Sequence, residues 1–84
     1  MKILLVDDHA IVRSGLRRLL AALPGAQICE AATGREALAL ARTERPTLII
    51  LDLNLPGLGG LELLQRLQSE HPNSRLMVLS MHAQ

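Results

Sequence analysis

Three carboxylates stand where apolar runs end. Residues 3 to 6, ILLV, run straight into Asp7 and Asp8, and residues 47 to 51, TLIIL, run into Asp52 before the chain breaks into Pro56, Gly57, Gly59 and Gly60. An acid at the end of a buried strand is expensive, because burial disfavours the charged form. Two unit charges about 5 Å apart at an effective dielectric near 20 repel by roughly 3 kcal/mol, whereas an aspartate that only caps a helix contributes about 1 kcal/mol. Three acids gathered in one place cost more than a cap returns, and a bound cation is the usual relief. An all-oxygen, carboxylate-rich set suits Mg2+, which binds through one or two carboxylates plus phosphate oxygens and keeps several waters.

Whether the acids meet depends on the elements that carry them. ILLV is apolar at consecutive positions, as a central parallel strand requires. Val12, Leu16, Leu19, Leu20 and Leu23 then recur on one face of a helix, which Pro24-Gly25 stops. Residues 26 to 32, AQICEAA, read as a second strand. A second helix follows, with Thr33 as N-cap, Glu36 at capping-box spacing and Ala37, Leu38 and Ala41 as its buried face, ended by Arg45-Pro46. TLIIL is the third strand. The next helix carries Leu63, Leu64 and Leu67 inward and closes near His71-Pro72, and residues 75 to 80, RLMVLS, are the fourth strand. Strand and helix alternate with short connections, which predicts a single α/β domain over 1–84 with a parallel sheet and helices on both faces. In such sheets ligands bind beyond the carboxyl ends of the strands, where strand order reverses. If the first and third strands are neighbours, Asp7, Asp8 and Asp52 converge there.

Composition narrows the class. The 84 residues are 49% hydrophobic with no Phe, Trp or Tyr, so the core must be aliphatic. A formal net charge of +1 gives no long-range reason to expect nucleic acid or membrane as a partner. Cys29 is alone and makes no internal disulfide, and the N-terminal apolar run is too short for a signal peptide or a membrane span. A soluble, cytoplasmic protein is expected. Of the remaining polar residues, His9 reads as a surface histidine at a helix start, with metal ligation as the lesser alternative because Mg2+ prefers oxygen, and His71 as a helix C-terminal residue favoured by the dipole. Arg13, Arg17 and Arg18 read as a solvated helix face, with docking of Arg13 and Arg17 to an acidic partner as the lesser alternative. Cys29 reads as a small core residue.

KILLVDDHAIVRSGLRRLL at the start, LIILDLNLPGLGGLELLQRL in the middle and RLMVLS at the end together resemble the receiver domain of two-component response regulators, over the whole chain and at that family's spacing. VDDHAIVRSGLRRLL is most similar to the subfamily whose receivers precede a helix-turn-helix DNA-binding domain. The resemblance implies a flavodoxin-like fold with strand order 2-1-3-4 for the strands present here. By resemblance a fourth helix, a fifth strand with its lysine and a fifth helix would lie beyond Gln84, so the domain is expected to be truncated. It also implies a phosphoacceptor, Asp52, that receives a phosphoryl group from a sensor histidine kinase with Mg2+. Asp8 matches the acid that binds the metal directly, Asp7 its partner through water, and the Asn54 backbone carbonyl a third protein ligand. Ser80 matches the hydroxyl that reads the phosphoryl group, and Pro56 and Gly57 match the turn after the phosphoacceptor. Such a domain is a switch in transcription regulation rather than an enzyme, and it reaches DNA only through an output domain absent from this chain.

Two other readings compete. LMVL, residues 76 to 79, is apolar on both faces with no helix after it, which predicts an exposed sheet edge and a bare sheet face. The chain is then expected to form a homo-oligomer, and it would act mainly as a dimerisation module if phosphorylation were impaired. A phosphohydrolase with an aspartyl nucleophile would instead place two acids as D-x-D on its first strand, whereas Asp7 and Asp8 are adjacent and the isolated acid follows the third.

Overall fold

The computed structural model describes residues 1–55 and 59–79. The expectations that rest on Pro56, Gly57 and Ser80 fall outside them. Four strands, β1 (Lys2–Val6), β2 (Gln27–Ala31), β3 (Leu48–Asp52) and β4 (Arg75–Leu79), alternate with three helices, α1 (Ala10–Ala21), α2 (Gly34–Glu44) and α3 (Gly60–Glu70). The strands form one parallel sheet in the order β2-β1-β3-β4. That order reverses direction between β1 and β3, which puts a crevice at their carboxyl ends.

Alternate strand residues feed two cores. Leu4, Val6, Ile49 and Leu51 pack with Ala37, Leu38 and Ala41 of α2 and Leu63 and Leu67 of α3, while Ile3, Leu5 and Ile50 face Leu16 and Leu20 of α1. Leu63 and Leu67 are fully buried, and burying a leucine side chain contributes about 1.5–3 kcal/mol. All the packing is aliphatic, as the composition demanded.

Local chemistry fixes the helix ends. The Thr33 hydroxyl accepts the Glu36 N–H (3.1 Å), and the Glu36 carboxylate accepts from the Ala32 N–H (2.8 Å), one residue earlier than a standard capping box. Arg45, at φ 47°, ends α2 in the left-handed region ahead of Pro46. Gly60 has a stricter role: a Cβ there would lie 2.1 Å from the Leu53 carbonyl oxygen, so only glycine lets the start of α3 close against the turn leaving β3.

The apolar face expected for α1 is too wide. Leu16 and Leu20 lie about 40° apart on the helix circumference and point at the sheet, whereas Leu19 is about 100° from Leu20 and is 72% exposed. Leu23 lies beyond the helix end and is also exposed. No residue of α1 is fully buried. On β4, Met77 is 50% and Val78 39% exposed, in line with the open edge expected there.

Candidate functional site

Register brings the acids together. Val6 pairs with Leu51 across β1 and β3, so Asp7, one step further, stands level with Asp52. By two-residue alternation both follow Leu5 and Ile50 toward the α1 side of the sheet. Both carboxylates are buried, Asp7 at 1% and Asp52 at 0% exposure. Asp8 stays partly exposed.

Backbone groups orient the two buried acids. The Asp7 N–H donates to the Ala31 carbonyl (3.0 Å), and Asp7 Oδ1 accepts the His9 N–H (2.7 Å). Asp52 Oδ1 accepts the Asn54 N–H (2.9 Å) in the turn after β3. The other oxygens, Asp7 Oδ2 and Asp52 Oδ2, are buried and have no hydrogen-bond partner among the described residues. An orphaned buried carboxylate oxygen carries its full desolvation penalty, so the pair of them marks a place where a cation is wanted. One ligand atom from each of Asp7, Asp8, His9 and Asp52 lies within 4.8 Å of the others. This hard, mostly oxygen donor set fits Mg2+.

His9 was not expected here. Its Nδ1 is 3.0 Å from Asp7 Oδ1, 3.0 Å from Asp8 Oδ1 and 3.7 Å from Asp52 Oδ2. The hydrogen bond to Asp7, helped by the charge of Asp8, raises the imidazole above its ordinary pKa. No local motif marks this role, because the ring reaches the acids only when α1 starts at Ala10 directly above the β1 end.

The arginines of α1 also depart from expectation. Arg13 donates from Nη1 to the Asp7 carbonyl (2.7 Å) and from Nε to Glu30 on β2 (3.0 Å), and Arg17 pairs with the same glutamate. A carboxylate on β2 within reach of α1 ties two of the three basic residues to β2, and Arg13 also reaches the β1 end; Arg18 is exposed without such a partner among the described residues. No local pattern in the sequence marks Glu30, although alternation with Ile28 on β2 puts it on the α1 side. The Cys29 thiol donates weakly to the Ile3 carbonyl (3.6 Å), and burial pushes its pKa up, so it stays protonated. His71 caps α3, donating its N–H to Leu67.

The profile of the response regulator receiver domain matches residues 3–84. The chain belongs to this family. Within it, the chain is 44% identical over 85 residues to the transcriptional activator protein ExaE of Pseudomonas putida, covering all of this chain and 40% of that protein. A LuxR-family two-component response regulator from Aurantimonas superposes with a TM-score of 0.87 at 41% identity, covering 98% of this chain and 59% of that one. A response regulator from Burkholderia pseudomallei, solved with a phosphorylated aspartic acid, a calcium ion and citrate, gives 0.88 at 33% identity over 98% and 48%. This receiver chain spans 37–40% of the length of the curated relatives it matches. The flavodoxin-like order 2-1-3-4 expected from the sequence is the receiver's order.

Proposed function

We propose that this receiver domain accepts a phosphoryl group on Asp52 from a phosphohistidine of a sensor histidine kinase. The observation that carries the reading is Asp52 Oδ2: buried, without a hydrogen-bond partner among the described residues, and set among two further carboxylates at the strand ends. The Asn54 N–H fixes the Asp52 carboxylate through Oδ1, and a carboxylate oxygen of Asp52 is the nucleophile. That oxygen forms the new bond to phosphorus while the bond from phosphorus to the donor imidazole breaks, its electron pair returning to the ring nitrogen. Approach of a dianionic phosphoryl group to three acids is repulsive. Mg2+ held by Asp7, Asp8, Asp52 and the Asn54 carbonyl would supply the charge neutralisation on the equatorial phosphoryl oxygens. Asp7, clamped through its carbonyl by Arg13 and through Oδ1 by His9, keeps the pocket floor in place. Ser80 is the proposed hydroxyl contact that reads the phosphorylated state, in the cytoplasm, on behalf of a transcriptional output.

The phosphorylated aspartic acid of the Burkholderia relative supports the same chemistry here. Borohydride reduction after incubation with acetyl phosphate and Mg2+ tests the position, since it converts an aspartyl phosphate to homoserine. The expected result is homoserine at residue 52 in the digested peptide. Homoserine at residue 7 or 8, with none at 52, would overturn the assignment.

A second reading rests on β4. Met77 and Val78 are partly exposed on opposite faces of β4, the edge strand among the described residues, an edge suited to self-association with a second copy of this chain. The two readings are compatible.

A further inference from the structure

We propose that His9 is a fourth protein donor of the acid pocket, its Nδ1 joining oxygens of Asp7, Asp8 and Asp52 around a first-row transition-metal ion of the Co2+ and Ni2+ class. This inference rests on the reading that the acid pocket holds a divalent cation, and it adds a nitrogen ligand and a metal preference to that reading.

Distances carry the first step. Two neighbouring donors about 2.1 Å from a six-coordinate ion lie roughly 3.0 Å apart, and Nδ1 is 3.0 Å from one oxygen of Asp7 and 3.0 Å from one of Asp8. Asp52 Oδ2, buried and without a hydrogen-bond partner among the described residues, faces the same nitrogen at 3.7 Å. An ion among these atoms would satisfy Asp52 Oδ2 and take Nδ1 into its shell with little movement of the ring.

Backbone anchoring carries the second. His9 is the N-cap of α1 with extended φ and ψ, its N–H bound to Asp7 and its carbonyl accepting the Arg13 N–H at 3.0 Å. The ring is therefore held over the pocket by a fixed backbone. Its side chain remains 53% exposed, so Nε2 can keep its proton in water while Nδ1 offers a lone pair. The ring binds as the Nε2–H tautomer, and the proton that sits on Nδ1 in the hydrogen-bonded form passes to solvent.

Ligand chemistry carries the third. Mg2+ takes oxygen ligands and gains little from an imidazole, whereas ions later in the first row favour it increasingly. The histidine should therefore weight the site toward those ions beyond what carboxylates alone give.

Calorimetric titration of Mg2+ and Co2+ into the folded protein, with 1H NMR of the Co2+ form in H2O, provides the test. The expected result is one equivalent of each ion at the same site, and a strongly shifted, exchangeable imidazole N–H in the Co2+ spectrum. His9→Ala and His9→Gln, checked for fold by circular dichroism, should both abolish that resonance. They should weaken Co2+ by at least the roughly tenfold that loss of even an outer-sphere partner costs, and weaken Mg2+ by less. If both ions bind but the shifted N–H is missing, or Co2+ affinity is the same in the His9 variants, His9 is not a ligand and the acid pocket stands without it. If the folded wild-type protein binds neither ion, or binding survives Asp52→Asn unchanged, the cation pocket itself fails and this inference falls with it.

Discussion

Asp52 and Asp7 are buried carboxylates at neighbouring strand ends, and backbone N–H groups of Asn54 and His9 hold them in place. Asp52→Asn removes the nucleophile while keeping the Asn54 hydrogen bond available, so the variant should fold normally and accept no phosphoryl group; retention of acetyl-phosphate labelling would show that another residue is the acceptor. His9 titrates in the same pocket. Its folded pKa is raised above the unfolded value near 6.5, so its charged contacts stabilise the metal-free protein fully below that value and are lost as pH rises through the raised pKa. NMR titration should place the His9 midpoint above 6.5 and show it falling in Asp8→Asn; a midpoint at or below 6.5 would contradict the contacts seen. Arg13 is the third residue to probe. Arg13→Ala strands the Asp7 carbonyl and half of the Glu30 pairing and should lower stability by about 1–2 kcal/mol, read from urea denaturation. The three acids were legible in the sequence because each ends an apolar run. Glu30 was not, because its pairing depends on how α1 is rotated over β2, and the His9 contacts, though local, depend on the backbone conformation between β1 and α1, which spacing alone does not set.

Elements make the site by register. A slip of one residue between β1 and β3 would turn Asp7 to the opposite face from Asp52, and the continuous apolar runs that bury both faces of these strands are what pin the pairing. The strands, the caps at Thr33 and Arg45, and the inward leucines of α3 were readable for that reason, since each is a local pattern with one good solution. The α1 face is narrower than its leucine spacing predicts, because a helix covering half of a small sheet turns Leu16 and Leu20 to the core, both partly buried, and leaves Leu19 in solvent. Gly60 gives the sharpest test at this scale. Gly60→Ala forces a Cβ into the Leu53 backbone and should cost about 1–3 kcal/mol. Gly59→Ala meets nothing within 4 Å and should cost less than about 1 kcal/mol, as a changed N-cap. Equal effects in thermal denaturation would mean that the close approach of α3 to Leu53 does not hold the turn below Asp52.

At the scale of the whole molecule, the two cores of the described residues are unequal: α2 and α3 share one face of the sheet, while α1 packs on the other. Exposed Met77 and Val78 on β4 make association the expected behaviour, and sedimentation should show it strengthening with protein concentration and weakening in Val78→Lys. A folded monomer at all concentrations would remove that reading and leave the phosphoacceptor untouched. The central claim is that three strand-end carboxylates and a divalent cation suffice to make Asp52 a phosphoacceptor. Intact mass after incubation with acetyl phosphate, with and without Mg2+, tests it most directly. The account predicts a gain of one phosphoryl group that needs Mg2+ and is lost in Asp52→Ala; no gain in protein shown to be folded, or the same gain in Asp52→Ala, would contradict it.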